Sequence, residues 1–197
     1  MSIDRGWLQG ARRVPSPNQD ERPEGEVSLL VMHSISLPPG EFGGEHIERF
    51  FTNRLDPLAH PYFVAIAEMR VSAHLMIRRD GDCVQFVPFH ARAWHAGHSR
   101  WCDQGWSRTR LNDFSVGIEL EGDEVSPHTS AQYRALAEST GQLFEAYPRL
   151  TPARITSHAR VAPLRKGDPG PSFDWAYFRQ RLETLGPFSV DDAMSMR

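Results

Sequence analysis

A chain of 197 residues, 40% hydrophobic and 24% charged, can bury one sizeable core but not several, so a single globular domain is expected. Its formal net charge of −3 leaves no basic footprint, which argues against a nucleic-acid binder or a protein drawn to anionic membranes, and no run approaches the roughly 20 apolar residues of a membrane span. Two cysteines, Cys83 and Cys102, are too few for a disulfide framework or a cysteine zinc knot, and Met1 to Trp7 does not read as a leader, so a cytosolic setting is expected. Nine histidines are the compositional oddity, and they raise the odds of a metal or acid-base site.

In chain order, residues 1–25 carry Pro15, Pro17 and Pro23 among charged residues and read as an extended arm with little regular structure, tacked down by Trp7 and Leu8. The domain is expected over residues 26–187, with residues 188–197 a frayed tail. Val27 to Met32 is a nearly continuous apolar run, the pattern of a strand covered on both faces, and His33 ends it where a following loop would leave it accessible. That makes His33 a candidate ligand, with a histidine that merely ends a strand as the bland alternative. Ser34 to Gly44 reads as an irregular loop able to wall a groove, and His46 to Phe51 as a short helix. Tyr62 and Phe63 suit either a groove wall or the core; the core is the default for such a pair, and Tyr62 is kept as a groove candidate.

Ser72 to Arg78 and Cys83 to Pro88 flank Asp80-Gly81-Asp82, a strong hairpin signal. His74 falls on this sheet with no assignable role. Ala93-Trp94-His95-Ala96-Gly97 sets an aromatic and a histidine in a small-residue turn, where Trp94 could meet a sugar or peptide or simply pack. Residues 98–110 are polar and read as an exposed loop. Ser115 to Glu121 is a strand pattern whose alternation puts Glu119 and Glu121 on one face and Ile118 and Leu120 on the other. Either carboxylate could be a general base, and either could lie on a solvated face; alternation does not choose. A helix begins at Thr129, with Gln132 placed for a capping box, an apolar stripe from Tyr133 to Tyr147, and Pro148 beyond its end. A last helix is expected from Ser172, as N-cap, to about Leu185, burying Phe173, Ala176, Tyr177 and Leu182.

Between an expected short strand at Ala153 to Thr156 and that last helix lies Ser157 to Ser172, which packs His158, Lys166 and Asp168 into a Pro- and Gly-rich turn. An imidazole and a carboxylate are zinc ligands, and a nearby cation suits a developing oxyanion, although polar turns of this composition are common on surfaces. Two imidazoles, His33 and His158, plus the Asp168 carboxylate would leave a fourth position for water, the usual composition of a hydrolytic zinc site. No compact motif of the His-Glu-x-x-His kind supports it.

Several stretches, among them Gly6-Trp7-Leu8, Ala11 to Asn18, Leu30 to Gly44, Ala93 to Gly97, Asn112 to Gly122 and Lys166 to Pro171, closely resemble the 1,6-anhydro-N-acetylmuramyl-L-alanine amidases of peptidoglycan recycling. These enzymes belong to the zinc amidase and peptidoglycan-recognition-protein superfamily. The resemblance runs from about residue 5 to about residue 184. It implies an α/β fold with a mixed central β-sheet flanked by helices, and a cytosolic enzyme holding one zinc ion per chain. By position, the metal ligands match His33, His158 and Asp168, the family's acidic catalytic residue matches Glu119, and its lysine matches Lys166. Arg110, beside Asn112, resembles a position that meets the stem peptide's carboxylates, and Trp94 and Tyr62 complete the expected substrate contacts. The implied reaction cleaves the amide between the lactyl group of anhydro-muramic acid and L-alanine in a small anhydro-muropeptide, by a monomer without nucleic-acid or membrane partners. Such enzymes also influence β-lactamase induction where that circuit exists. The sequence departs from the family pattern at Leu111 and in a longer loop from His98 to Arg108 carrying Trp101 and Trp106, which bears on the peptide end of the groove.

Overall fold

The computed structural model describes residues 2–103 and 106–186. In chain order its elements are β1 (Ile3–Asp4), β2 (Trp7–Leu8), β3 (Arg12–Arg13), β4 (Gln19–Asp20), β5 (Leu29–Ile35), α1 (His46–Phe51), α2 (Phe63–Ile66), β6 (Leu75–Ile77), β7 (Cys83–Gln85), β8 (Arg92–Ala93), β9 (Arg100–Asp103), β10 (Trp106–Thr109), β11 (Ser115–Glu121), α3 (Ser130–Ala146), β12 (Ile155–Ser157), α4 (His158–Val161) and α5 (Trp175–Glu183). A six-stranded sheet in the order β12-β5-β11-β6-β7-β3 runs through the middle. Its pairs are parallel except for the β6–β7 hairpin turned at Asp80-Gly81, so the sheet is mixed, with helices on its faces.

The period of two sorts the central strands. Leu30 and Met32 of β5 and Val116, Ile118 and Leu120 of β11 pack with Leu136 and Leu143 of α3 and with Phe178 and Leu182 of α5. The alternate residues Leu29 and Val31 face the other way, among Trp101, Leu111, Phe114 and Val161. Further along that second face, Met76 and Val84 pack with Ile47, Phe50, Phe51 and Phe63. His33 continues the Leu29, Val31 series, and Glu119 is its register partner on β11. Strand pairing alone therefore brings these two side chains to the same place on the second face.

The capping box of α3 is present in full. Thr129 Oγ1 accepts the Gln132 N–H at 3.1 Å, and Gln132 Oε1 accepts the Thr129 N–H at 3.0 Å. The same Gln132 amide donates to the carbonyls of Ile77 and Glu121, so the cap also ties the helix to the ends of β6 and β11.

Several segments differ from their sequence reading. Residues 1–25 form four short strands: β1 pairs with β2, β3 adds to the edge of the main sheet, and β4 pairs with β8. They are too short for periodicity to register. β5 continues through His33 to Ile35, because Ser34 and Ile35 still pair with Leu120 and Glu121. Residues 100–103 and 106–109 form a hairpin rather than a plain loop; Trp101 is buried against Leu29 and Val31, and the Arg108 guanidinium lies 3.6 Å from the centroid of the Phe114 ring. The last helix starts later than expected, with Asp174 rather than Ser172 as N-cap, its carboxylate accepting the Tyr177 N–H at 2.9 Å. Phe173 and Leu182 are buried as expected and Tyr177 packs against the core, but Phe178 takes the central buried position and Ala176 is exposed. The expected tail at residues 188–197 lies outside the described residues. No helix among the described residues is long and apolar enough to cross a membrane.

Candidate metal centre

His33 Nδ1, His158 Nδ1 and Asp168 Oδ2 form a triangle with all three edges at 3.0 Å. His33 comes from the buried centre of β5. His158 opens α4 directly after β12 and Asp168 lies in the loop that follows, and three local bonds bring them together. The Ser157 hydroxyl caps α4 by accepting the Arg160 N–H, the Ala159 N–H donates to the Asp168 carbonyl at 2.9 Å, and the Gly170 N–H donates to the Gly167 carbonyl. Gly167 and Gly170 let this loop lie flat against its neighbour: a Cβ on Gly167 would overlap the Glu124 carboxylate, and one on Gly170 the Glu124 backbone. Gly170 also has φ +86°, which disfavours any other residue.

Three acceptor-type atoms at 3.0 Å repel one another unless a cation lies among them. Two imidazole nitrogens and one carboxylate oxygen are an ordinary zinc donor set, and a tetrahedral ion with bonds of about 2.1 Å needs donor separations of about 3.4 Å, so the triangle at 3.0 Å would open by a few tenths of an ångström around the ion. Among the described residues these three form a group able to hold a metal ion, so the donor set fits the zinc that the sequence resemblance implies.

Electrostatics matches that role. Burial would push the Asp168 carboxyl up, but the adjacent His158 and His33 imidazoles hold it far below the usual carboxylate range. Burial, with His33 adding, lowers His158 to about 4, so it is neutral at pH 7. Burial also acts to lower His33, but the Glu119 and Asp168 carboxylates outweigh it and raise the imidazole. Glu119 is pushed up to about 7, chiefly by burial, with His33 opposing and Asp168 reinforcing. A carboxyl poised near neutrality beside a metal-type cluster is suited to passing protons.

The choice between Glu119 and Glu121 has a physical basis. The Glu121 carboxylate accepts the N–H groups of Gly43 and Arg79 and pairs with Arg78. Glu119 Oε2 is buried without a hydrogen-bond partner, and the residue is part of the pocket lining.

That pocket holds about 500 Å³ and is lined by His33, Glu119, His158, Lys166 and Asp168, with Trp94, Tyr62, Ile66 and Met69 forming walls. Tyr62 is thus a wall residue, while its neighbour Phe63 is fully buried. Asn112 and Arg110 are not brought to this pocket. Asn112 is buried, its Oδ1 accepting the N–H groups of His95 and Ala96 at 3.2 and 2.7 Å. Arg110 pairs with Asp113 at 3.1 Å and points to solvent. Sequence reasoning passed over His95, whose Nδ1 lies 3.0 Å from His33 Nε2; its only signal was a histidine in the small-residue turn after Trp94.

The model of the N-acetylmuramoyl-L-alanine amidase family matches residues 23–171. The chain is 59% identical over 180 residues to the 1,6-anhydro-N-acetylmuramyl-L-alanine amidase AmpD of Citrobacter freundii, covering 91% of this chain and 94% of that protein. It is 49% identical to the Haemophilus influenzae AmpD over 174 residues, 88% of this chain and 92% of the relative. A crystal structure of a selenomethionyl AmpD superposes with a TM-score of 0.86 at 57% identity, covering 92% of this chain and 99% of the other. The Escherichia coli amidase AmiD, solved with the substrate anhydro-N-acetylmuramic acid-L-Ala-D-γ-Glu-L-Lys, aligns at 27% identity with a TM-score of 0.55, over 89% of this chain and 60% of its own. With the family pattern spanning most of its length and its fold shared throughout, this chain belongs to the N-acetylmuramoyl-L-alanine amidases, in the branch of the 1,6-anhydro-N-acetylmuramyl-L-alanine amidases.

Proposed function

We propose that this chain is a zinc-dependent 1,6-anhydro-N-acetylmuramyl-L-alanine amidase of peptidoglycan recycling, which hydrolyses the amide between the lactyl group of anhydro-muramic acid and the L-alanine of a stem peptide. The observation that carries this reading is the triangle of His33, His158 and Asp168 beside the unpartnered Glu119 carboxyl, inside one pocket. A bound zinc ion supplies Lewis-acid chemistry there, acidifying water and polarising a carbonyl.

The chain's own residues divide the remaining work. Glu119, titrating near 7, takes a proton from the attacking water and returns one to the departing L-alanine nitrogen. Lys166, exposed on the pocket rim, donates to the oxygen that becomes negative as the carbonyl turns tetrahedral. Trp94 and Tyr62 offer flat walls against which the sugar and peptide lie. Arg110 and Asn112 have no place in this proposal. All these groups come from one chain, so a monomer suffices, and two free cysteines suit a cytosolic place for the reaction.

The test uses anhydro-muramyl peptide and intact sacculi as paired substrates, with chelator and with zinc restored. Release of stem peptide from the soluble substrate, lost with chelator and recovered with zinc, is expected. Undiminished release by metal-free protein would remove zinc from the reading, and preferential attack on sacculi would remove the recycling substrate.

A further inference from the structure

His33 has two ring nitrogens, and only Nδ1 faces His158 and Asp168; its Nε2 points the other way, to His95 Nδ1 at 3.0 Å. His95 Nε2 in turn lies 3.2 Å from Ser115 Oγ, whose hydroxyl donates to the Leu111 carbonyl at 2.7 Å. A carbonyl can only accept, so the single hydroxyl proton of Ser115 is committed to Leu111, and Ser115 Oγ can only accept from His95. His95 therefore carries its proton on Nε2. His33 facing His158 and Asp168 through the Nδ1 lone pair keeps its own proton on Nε2, so a second proton on His95 Nδ1 would set two N–H groups against each other at 3.0 Å; His95 Nδ1 therefore presents a lone pair and accepts from His33 Nε2.

We propose that His95 is a positioning residue of the metal centre: the relay from the Leu111 carbonyl through Ser115 and His95 fixes His33 in the tautomer and ring orientation whose Nδ1 lone pair faces His158 and Asp168. The inference rests on His33 being a metal ligand. Outer partners that hold a ligating imidazole in this way typically contribute 10- to 100-fold in metal affinity.

The surroundings are built for the relay. The Asn112 side chain grips the backbone N–H groups of His95 and Ala96, so the 3-10 turn Leu111–Asp113 both ends the proton chain and holds the turn that carries it. On β11, Gly117 leaves room for the ring, since a Cβ there would lie 2.6 Å from two atoms of the His95 imidazole. A larger residue on that strand would push His95 off His33.

The experiment measures zinc affinity by competition with a chromophoric chelator for wild type, His95→Phe, His95→Gln and His33→Ala, with thermal unfolding of each metal-free protein as the check on folding. Phe fills the space but accepts nothing, and a loss of about 10- to 100-fold is expected. Gln can turn its oxygen to His33 and its amide to Ser115, and is expected to recover most of that loss. A folded His95→Phe that binds zinc as tightly as wild type, while His33→Ala does not, overturns the relay and spares the metal site. Wild-type affinity in His33→Ala instead removes the metal reading itself. A second readout needs no variant: long-range 1H–15N correlation spectra of the zinc-loaded wild type should find both His95 and His33 protonated at Nε2, and a His95 protonated at Nδ1 overturns the proposal.

Discussion

His33 and Glu119 stand opposite each other on β5 and β11, fixed by a parallel ladder seven pairs long, whereas His158, Lys166 and Asp168 ride on one loop held by a few backbone bonds and by its fit against Glu124. A ladder cannot move one residue without breaking its neighbours' bonds, so the sheet half is rigid by cooperation. A loop is as well placed as its tightest turn, so the other half depends on two glycines that accept no side chain. The two halves should therefore fail in different ways. Side-chain changes on the sheet half should alter the site and leave the fold intact, and damage to the tight turns of the loop should loosen the metal and the local structure together.

The largest effect should come from the sheet half. Glu119→Gln is expected to lower turnover of anhydro-muramyl peptide by about 10²- to 10⁴-fold with zinc content unchanged, measured by steady-state kinetics beside metal analysis; a loss of zinc in this variant would make Glu119 a structural member of the site. Next, Lys166→Ala should lower kcat by about 10²- to 10³-fold. Because Lys166 makes no hydrogen bond to any of the three ligands, the variant's zinc affinity should equal that of wild type.

The loop half can be probed through its glycines. Gly170→Ala should destabilise the protein by about 2 kcal/mol and weaken zinc binding, from strain at positive φ and overlap with the Glu124 backbone. Denaturant unfolding and chelator competition would read both. Gly167→Ala meets only the Glu124 carboxylate, so its smaller defect should be relieved by Glu124→Ala, whereas Gly170→Ala should not be relieved by the same change. Equal rescue of both would contradict the distinction between a side-chain and a backbone clash.

The smallest effect concerns stability away from the pocket. Burial acts to raise the Glu48 carboxyl, but its bonds to Arg12 and Arg78 hold it below the usual carboxylate range. A depressed folded value means the contribution is present at neutral pH and fades as pH falls through and below the ordinary range near 4.5. Glu48→Gln should therefore cost about 1–2 kcal/mol at pH 7, flatten the acid limb of the stability curve, and leave turnover per folded molecule unaltered.

Some of this was legible in the chain before any coordinates. Period two along Ser115 to Glu121, the Thr129 and Gln132 cap, and Asp-Gly between apolar runs are short-range signals, and each produced the element it announced. The Ala93 to Gly97 turn was visible, but the partner of its histidine was not, because Ser115 and His33 come from distant segments. Trp101 read as exposed since its neighbours are polar, yet Leu29 and Val31 offer it a buried face.

By itself the sequence determined the kinds of atoms available, two imidazoles, three carboxylates and an ammonium, and the local turns that carry them. Resemblance then attached a chemistry to five positions. What only the tertiary structure decided is which atoms meet: that Glu119 is left free while Glu121 is bound by backbone N–H groups, that Asn112 braces His95 instead of facing the pocket, and that His33 offers Nδ1 and not Nε2. The reason is physical. Hydrogen-bond direction and desolvation depend on neighbours brought together across the sheet, and no local pattern in the chain encodes those distances.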